Sequence, residues 1–237
     1  MLVLFGRKFC RAFAFADHLR LHLACQFCVL RENGGREISF MQEQANKDTK
    51  RKKPFDRGEM PPVKVLERKL AHKGSVLDIY DDYVEVGGHK VHWDFIHHNG
   101  AAAVLPVRAD GKILMVRQYR HALERFTLEI PAGKVDSPDE PKIDCARREL
   151  EEETGYRAGK LTHLLDINTT VAFCDEFIGI YLAEDLTKTA QHLDEDEQIN
   201  VEAWALSDLL ELIFTKQITD AKTAAAILAY AYQKRVS

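Results

Sequence analysis

The chain has 237 residues, of which 46% are hydrophobic, and its formal net charge is −4. This length and composition suit a globular protein made of one domain with an appendage or of two small domains. The slight negative charge provides no general basic field for nucleic acid or an anionic membrane, so neither is predicted as a partner. The five cysteines have no regular spacing. This pattern excludes a disulfide framework and favours a reducing, cytoplasmic location.

Residues 1–60 are predicted to be a poorly ordered extension followed by a charged linker. The first 30 residues are apolar but contain five charged residues. No apolar run approaches the roughly 20 residues that span a bilayer. The positive charges fall inside the apolar stretch, whereas a signal peptide carries them before it. Residues 41–60 are polar and strongly charged, and the basic run 50–53 is interpreted as part of a solvated linker.

Other interpretations of the extension stay open. One is an amphipathic docking helix, and another is upstream sequence that precedes a start at Met41 or Met60. A third belongs to a different class of function, a zinc-dependent interaction module. Its ligands would be His18, His22, Cys25 and Cys28.

Residues 61–100 are predicted to form an N-terminal β region. The stretch "YVEVGGHKVHWDFI" alternates apolar and polar residues around Gly87 and Gly88, which indicates a hairpin. In "AAAVLPVRADGKILMVRQYR", two apolar runs meet at Asp110 and Gly111, which predicts a second hairpin. Short strands also fit four later segments, residues 127–130, 161–167, 177–183 and 201–206.

The first of three predicted helices runs from about Pro141 to Glu153. It ends before Gly155, a residue suited to the left-handed turn that follows a helix. Ser137 and Glu140 have the spacing of a capping box, which would start the helix a turn earlier.

Two further helices are predicted after Ser207 and after Asp220, the last with cations in its final turn. Helices and strands mix without a regular βαβ alternation. The predicted fold class is therefore α+β, with elements packed in layers.

The stretch "ARRELEEETGY" places four glutamates in five positions of the first helix: Glu149, Glu151, Glu152 and Glu153. Like charges three or four residues apart cost about 0.2–0.5 kcal/mol per pair. At about 100° per residue, all of these glutamates except Glu151 fall within one arc of roughly 100°. An adjacent stripe is apolar and consists of Ile143, Ala146 and Leu150. The arc is typical of a solvated acidic face, unless its surroundings give it a function.

The surroundings of this helix resemble the Nudix box. The positions that match are Gly133, Glu140, Arg148, Glu149, Leu150, Glu152, Glu153, Gly155 and Tyr156. Seven residues separate Glu140 from Arg148, as in the family pattern. Six separate Gly133 from Glu140, one more than the pattern has, and this insertion falls in the loop "DSPD". Loops absorb such changes in length easily.

The resemblance extends from about Val63 to the C-terminus. The segments "GAAAVLPV", "VRQYR", "LEIPAGKVD" and "DAKTAAAIL" are similar to the ADP-ribose pyrophosphatase branch of the Nudix hydrolases. This resemblance implies an α/β/α sandwich with a mixed sheet, formed by a hydrolase domain of residues 101–237. It also implies a substrate in which a nucleoside diphosphate is linked to another group. A homodimer formed through residues 61–100 is implied as well.

The resemblance further implies a divalent cation, Mg²⁺ with Mn²⁺ as a substitute, since hard cations take oxygen ligands and neutralise a diphosphate. Its core ligands would be Glu149 and Glu153. Glu152 would be a further ligand or an activator, and the Ala132 carbonyl would complete the site. Arg148 is expected to orient the helix glutamates through charge-assisted hydrogen bonds.

Residues outside the helix are assigned to the site by the same resemblance. In the acidic segment "LDEDEQ", Glu195 matches the general base and Glu197 a metal ligand, and the alternative is an exposed loop. Arg120 matches an arginine that holds a phosphate or the terminal ribose, or it is a strand-end arginine in a surface ion pair. Trp93 is either a stacking surface for adenine or a hairpin core residue. Gly133 is assigned to the substrate site.

The predicted activity is hydrolysis of ADP-ribose to AMP and ribose 5-phosphate. Many related enzymes carry a proline about sixteen residues after the last box glycine, where this chain has Val171. Without the proline, whose ring fixes φ near −65°, a substrate-facing loop is less rigid and discrimination is looser. GDP-mannose and other nucleotide sugars are therefore alternative substrates. An alternative of another class is a sensor that binds such a ligand without turnover.

Overall fold

The computed structural model describes residues 62–193 and 198–236. The strands in these ranges are β1 (Val63–Lys73), β2 (Asp78–Val86), β3 (His89–His97), β4 (Ala101–Pro106), β5 (Ile113–Arg120), β6 (Arg125–Glu129), β7 (Ala132–Lys134), β8 (Tyr156–Asn168), β9 (Phe177–Lys188) and β10 (Asn200–Trp204). The helices are α1 (Lys142–Thr154), α2 (Leu206–Phe214) and α3 (Ala221–Val236), with a short 3-10 helix at His121–Leu123. None of the helices in these ranges combines the length and the hydropathy that a bilayer crossing needs.

The N-terminal strands form an antiparallel sheet of their own in the order β1-β2-β3. The predicted hairpin at Gly87 and Gly88 is confirmed, because β2 and β3 pair along their whole length on either side of these two residues. Both glycines have positive φ, 57° and 83°. Two consecutive residues with positive φ make the tight turn whose twist matches that of the flanking strands.

A four-stranded mixed sheet in the order β7-β4-β9-β8 is built from strands between residues 101 and 188. Strand β4 runs parallel to β9 and antiparallel to β7, and all six of its residues are buried. Alternate residues of a strand point to opposite faces, so β4 contributes to two cores. Ala102 and Val104 pack with Leu150 of α1 on one side. Ala103 and Leu105 pack on the other side against residues of β5, α2 and α3.

The remaining three strands form a second sheet in the order β10-β5-β6. Its residues Ile113 and Met115 share a core with Leu209 of α2 and Ile227 of α3. The central sheet therefore has helices on both sides, and the predicted α+β class and α/β/α sandwich are confirmed. The boundary between residues 61–100 and 101–237 stays a prediction.

The second predicted hairpin is wrong, because its two strands do not pair along their length. Strands β4 and β5 do follow one another through a tight turn, in which Gly111 has a φ of 79°. They are joined by a single bridge, Val107 to Ile113, and then separate into different sheets. Because β4 is buried on both faces, its long-range partners β7 and β9 take its hydrogen bonds in place of its neighbour in sequence.

The predicted helices are confirmed with one correction. Helix α1 begins at Lys142 and not a turn earlier, because the Glu140 side chain accepts a hydrogen bond from the Asp136 amide instead of capping the helix. Gly155 ends the helix with a φ of 68°. Helix α3 follows Asp220, whose carboxylate accepts the Thr223 N–H at 2.9 Å. The four short strands are also confirmed, and β8 and β9 extend beyond the predicted bounds.

We expect Gly155→Ala to destabilise the fold more than Gly111→Ala. Both glycines have a φ that costs an L-residue roughly 1–2 kcal/mol. A Cβ at Gly155 would also lie 3.0 Å from the Gln191 amide nitrogen, whereas nothing lies within 4 Å of one at Gly111. Urea denaturation of the two variants measures this difference. Equal losses would mean that the packing of residue 191 against the end of α1 does not matter.

Candidate active site

Helix α1 buries two of the crowded carboxylates. Its apolar stripe faces the central sheet, and Glu149 and Glu153 are only 9% and 3% exposed. Glu152 is more open, with 40% of its side chain exposed. Glu151 points elsewhere, as predicted, and pairs with Arg157 at 2.7 Å. The interpretation as a solvated acidic face therefore does not hold for Glu149 and Glu153.

The side chain of Arg148 joins the glutamates. Its Nη1 donates to Glu149 at 2.7 Å and to Glu152 at 3.0 Å. Its Nη2 donates to the Lys134 carbonyl at 3.1 Å, and its Nε lies 3.4 Å from Glu140. Burial alone would lower the pKa of the guanidinium, but the charge of Glu149 and the bond to Glu140 raise it. Arg148 thus connects the helix to the loop and the strand that precede it.

Strand β7 lies directly against the carboxylates. The Ala132 amide donates to Glu153 Oε2 at 3.0 Å. A Cβ at Gly133 would lie 2.0 Å from Glu149 Oε1, so any side chain there would displace that carboxylate. The first glycine of the box is therefore required by a close approach between backbone and side chain.

A cavity of about 310 Å³ opens next to β7. This volume lies within the range of roughly 300–1,000 Å³ that is usual for small-molecule sites. The lining combines backbone, cationic and acidic residues: His98, Ala101, Arg120, Ala132, Gly133, Lys134, Thr169, Glu176, Ile178, Asp220, Ala221 and Lys222. A charged ligand of the size of a sugar phosphate fits this chemistry.

A buried ion-pair network supports the cationic part of the lining. Glu129, 3% exposed at its side chain, accepts from Arg120 Nε at 2.9 Å and Nη2 at 2.7 Å. Lys222 donates to the same carboxylate at 2.5 Å, and Thr127 also donates to it. Burial would raise the pKa of Glu129, but the bonds from Arg120 and the charge of Lys222 outweigh it and hold the pKa at about 2.

Two of the residues predicted to bind substrate lie at the cavity, and one does not line it. Arg120 and Gly133 line it. Arg120 is not in a simple surface ion pair, because its partner Glu129 is buried. Trp93 lies on β3 and is 48% exposed, so within one chain it is not a hairpin core residue. Glu195 and Glu197 lie outside the described residues, as do His18, His22, Cys25 and Cys28.

Sequence reasoning missed four residues of the cavity and its support: Glu129, His98, Glu176 and Lys222. Two of them lie in stretches that carried the family resemblance, since "LEIPAGKVD" contains Glu129 and "DAKTAAAIL" contains Lys222. The chain itself had no local signal for pairing these two, which are 93 residues apart. His98 and Glu176 come from separate connections and meet only in the folded chain.

The donor set around α1 fits a hard divalent cation. It consists of carboxylate oxygens and backbone carbonyls, the ligands that Mg²⁺ prefers. In the described ranges, one group of three candidate ligands has donor atoms within 4.8 Å of one another, and it lies elsewhere, on β2 and β3. It consists of Asp81, His92 and Asp94. Around α1, Nη1 of Arg148 donates to both Glu149 and Glu152.

Known proteins resemble the chain in both sequence and fold. A family model described as the NUDIX domain matches residues 97–227. An ADP-ribose pyrophosphatase of Bacillus subtilis is 43% identical over 167 residues, which cover 69% of this chain and 90% of that protein. A methanol dehydrogenase activator of Bacillus methanolicus is 37% identical, covering 72% and 93% of the two chains. A solved ADP compounds hydrolase, 20% identical, has the same fold with a TM-score of 0.67 over 74% of this chain and 96% of its own.

We expect Glu129→Gln to lower the free energy of unfolding at pH 7 by about 3 kcal/mol, because each unit of pKa shift corresponds to roughly 1.4 kcal/mol. The pKa is lowered from 4.5 to about 2, so the charged form stabilises the fold above pH 4.5. This stabilisation is lost as the pH falls from 4.5 towards 2. Urea denaturation at pH 7 and at pH 3 tests both statements.

The matched control is Glu202→Gln, which removes a glutamate that is paired with Arg117 and 30% exposed at its side chain. More exposed pairs contribute less, about 1 kcal/mol or below. A pH-independent loss in Glu129→Gln, or an equal loss in the control, would contradict the assigned role of the buried pair.

Proposed function

Because this chain belongs to the Nudix family of hydrolases, we propose that it hydrolyses the diphosphate of ADP-ribose to AMP and ribose 5-phosphate. The observation that carries the proposal is that Glu153 and Glu149 lie against Ala132 and Gly133 of β7, and these two β7 residues line the cavity of about 310 Å³. The ADP-ribose pyrophosphatase of Bacillus subtilis, 43% identical, supports the choice of substrate.

The proposed cofactor is Mg²⁺, for which Mn²⁺ can substitute. Glu149 and Glu153 would be its core ligands, with Glu152 as a further ligand or activator and the Ala132 carbonyl completing the set. A bound divalent cation supplies charge neutralisation and activation of water for attack on a phosphate. The position of both carboxylates against β7 supports this assignment, since the Ala132 amide contacts Glu153 and the Glu149 carboxylate lies where a Cβ of Gly133 would be.

The chain's own residues have separate tasks in the proposal. Arg148 orients Glu149 and Glu152, because its guanidinium contacts both. Arg120 binds a phosphate oxygen through Nη1, since its Nε and Nη2 are already bonded to Glu129. Because Gly133 has no side chain, the Glu149 carboxylate can lie close to the backbone of β7, next to the space that the substrate would occupy.

Two proposed roles belong to the acidic loop that follows β9. Glu195 would act as the general base that takes a proton from the attacking water. Glu197 would add an oxygen ligand for the cation. Trp93 is proposed as a stacking surface for adenine, which requires a ligand that extends beyond the cavity lining.

A homodimer is part of the proposal. Among the residues that the structure describes, nine of the eighteen exposed large hydrophobic side chains lie between residues 62 and 97. They are Val63, Val65, Leu66, Leu70, Val76, Leu77, Tyr83, Val91 and Trp93. This concentration of exposed apolar side chains in one segment supports an interaction site there. A second copy of the chain is the proposed partner, and a cytoplasmic location, favoured by the cysteine pattern, completes the proposal.

Two alternatives have different consequences for activity. GDP-mannose or another nucleotide sugar would be turned over about as well as ADP-ribose if the loop that contains Val171 discriminates loosely. A ligand sensor would bind ADP-ribose without releasing products, and the complete set of helix glutamates disfavours it. The name of the methanol dehydrogenase activator describes a role of that protein. It does not bear on the chemistry that is proposed for this site.

We expect kcat/KM with Mg²⁺ to be highest for ADP-ribose among ADP-ribose, ADP-glucose and GDP-mannose, since this ratio measures discrimination in the transition state. Glu153→Gln should lower kcat for ADP-ribose by about 10²–10³-fold or more, because it removes a charge that stabilises the reacting centre. Product analysis by chromatography and urea denaturation of the variant are the measurements.

The matched control is Glu151→Gln on the same helix, whose carboxylate pairs with Arg157 and which should keep near-full activity. A clear preference for GDP-mannose would overturn the substrate assignment. Near-full activity of Glu153→Gln would overturn the metal assignment, and binding without products in the wild type would favour a sensor.

We expect the wild-type chain to sediment as a dimer at micromolar concentration and Leu70→Asp to sediment as a monomer. Leu70 lies on β1 and is 53% exposed, so a charge there should spare the fold of one chain and disfavour an apolar interface. Phe214→Asp is the control, because Phe214 is 74% exposed but lies at the end of α2. A monomeric wild type, or dissociation by the control alone, would refute a dimer formed through residues 61–100.

A further inference from the structure

One wall of the cavity is formed by His98, Thr169 and Glu176. His98 follows β3, and the other two flank the connection between β8 and β9. This wall lies in the same cavity as Arg120 and β7, so a ligand held there can also contact it.

The carboxylate of Glu176 is held in place by its surroundings. Thr169 Oγ1 donates to its Oε2 at 2.5 Å. The connection that carries it is fastened to the end of β3, because the Ile96 amide donates to the Phe173 carbonyl and the Asp175 amide donates to the Ile96 carbonyl. The wall is therefore organised before any ligand binds, which lowers the entropy cost of recognition.

His98 has one ring nitrogen in use. The Gly100 amide donates to its Nδ1 at 3.0 Å, so the neutral imidazole carries its proton on Nε2. The side chain is 11% exposed and lines the cavity. In the part of the chain that the structure describes, Nε2 has no hydrogen-bond partner. Nε2–H is thus a donor that a ligand can use.

The charges of the cavity separate it into two ends. Asp220 pairs with Lys222 at 3.1 Å, and Glu129 beneath the lining pairs with Arg120 and Lys222. Glu176 has neither lysine nor arginine as a partner within the described ranges, and Nδ1 of His98, which lies 3.6 Å from its Oε1, carries no proton in the neutral tautomer. An uncompensated carboxylate repels a phosphate but accepts hydrogen bonds from hydroxyl groups.

From this arrangement we infer that Glu176 and His98 recognise the hydroxyl groups of the sugar attached to the diphosphate. Glu176 accepts from a hydroxyl hydrogen, and His98 Nε2–H donates to a hydroxyl oxygen of the same sugar. The diphosphate then lies towards Arg120 and β7. The inference rests on the proposed hydrolysis of a nucleoside diphosphate sugar and makes these two residues the determinants of that substrate class.

The test compares ADP-ribose with the methyl ester of ADP, which keeps adenosine and the diphosphate but lacks the terminal sugar and its hydroxyls. We expect Glu176→Gln to lower kcat/KM for ADP-ribose by about 10- to 100-fold, as for loss of a hydrogen bond to a charged group. The value for methyl ADP should stay within about twofold. His98→Phe should give the same substrate-dependent pattern and serves as the second variant if Glu176→Gln fails to fold.

Glu184→Gln is the matched control, because Glu184 lies on the strand that follows Glu176 and pairs with Lys160 outside the cavity lining. It should change neither substrate's kcat/KM. Equal losses for the two substrates in Glu176→Gln would overturn the inference, since Glu176 would then act on the shared diphosphate or on the fold. A changed Mg²⁺ concentration for half-maximal activity would also overturn it and identify Glu176 as a metal ligand.

Binding of the same two ligands, measured by calorimetry with Ca²⁺ in place of Mg²⁺, gives their ratio of affinities without turnover. A wild-type chain that prefers ADP-ribose to methyl ADP in binding, and loses the preference in Glu176→Gln, supports the inference even if no products form. Absence of products in the separate assay with Mg²⁺ would then refute the proposed hydrolysis alone. Equal affinity of the wild type for both ligands would refute the hydroxyl recognition.

Discussion

The site depends on the hydrogen bonds that the guanidinium of Arg148 donates to its neighbours. Helix α1 buries Glu149 and Glu153 beside a third carboxylate, an arrangement whose mutual repulsion and desolvation would otherwise destabilise it. One nitrogen of Arg148 contacts Glu149 and Glu152, and another reaches the carbonyl of Lys134 on β7. A planar fork with five donors can hold three elements at once, which the single ammonium of a lysine cannot do with the same geometry.

The loop before α1 and the strand β7 follow from that constraint. Glu140 accepts from the Asp136 amide and approaches Arg148, so it joins the loop that contains the inserted residue to the helix. Gly133 must lack a side chain because the Glu149 carboxylate occupies the space of its Cβ. The glycine, glutamate and arginine of the family pattern therefore act together, because each of them helps to position the same carboxylates.

In the opposite part of the cavity, a buried carboxylate is likewise compensated by cationic side chains. Glu129 is buried and therefore paired with Arg120 and Lys222, and the cost of burying the charges is met by hydrogen bonds on every side. Lysine and arginine are thereby held at the cavity with their partners already bound, while Glu176 on the remaining wall has Thr169 and His98 as side-chain neighbours and no lysine or arginine partner in the described ranges. The site has a cationic end and a hydroxyl-accepting end, and a phosphorylated sugar has the complementary order of groups.

Local pattern alone determined the N-terminal hairpin at Gly87, the three helices and the end of α1 at Gly155, because turn chemistry and periodicity act over a few residues. The spacing from Gly133 to Gly155 also determined the family and with it the candidate carboxylates. Tertiary structure alone decided that β4 pairs with β9 and not with β5, since a strand that is buried on both faces pairs with the strands that complete its core. It also decided the pairing of Glu129 with Lys222 and the meeting of His98 with Glu176. These contacts join residues 93 and 78 positions apart, and no local rule of sequence reaches so far, because burial and charge compensation are properties of the folded chain.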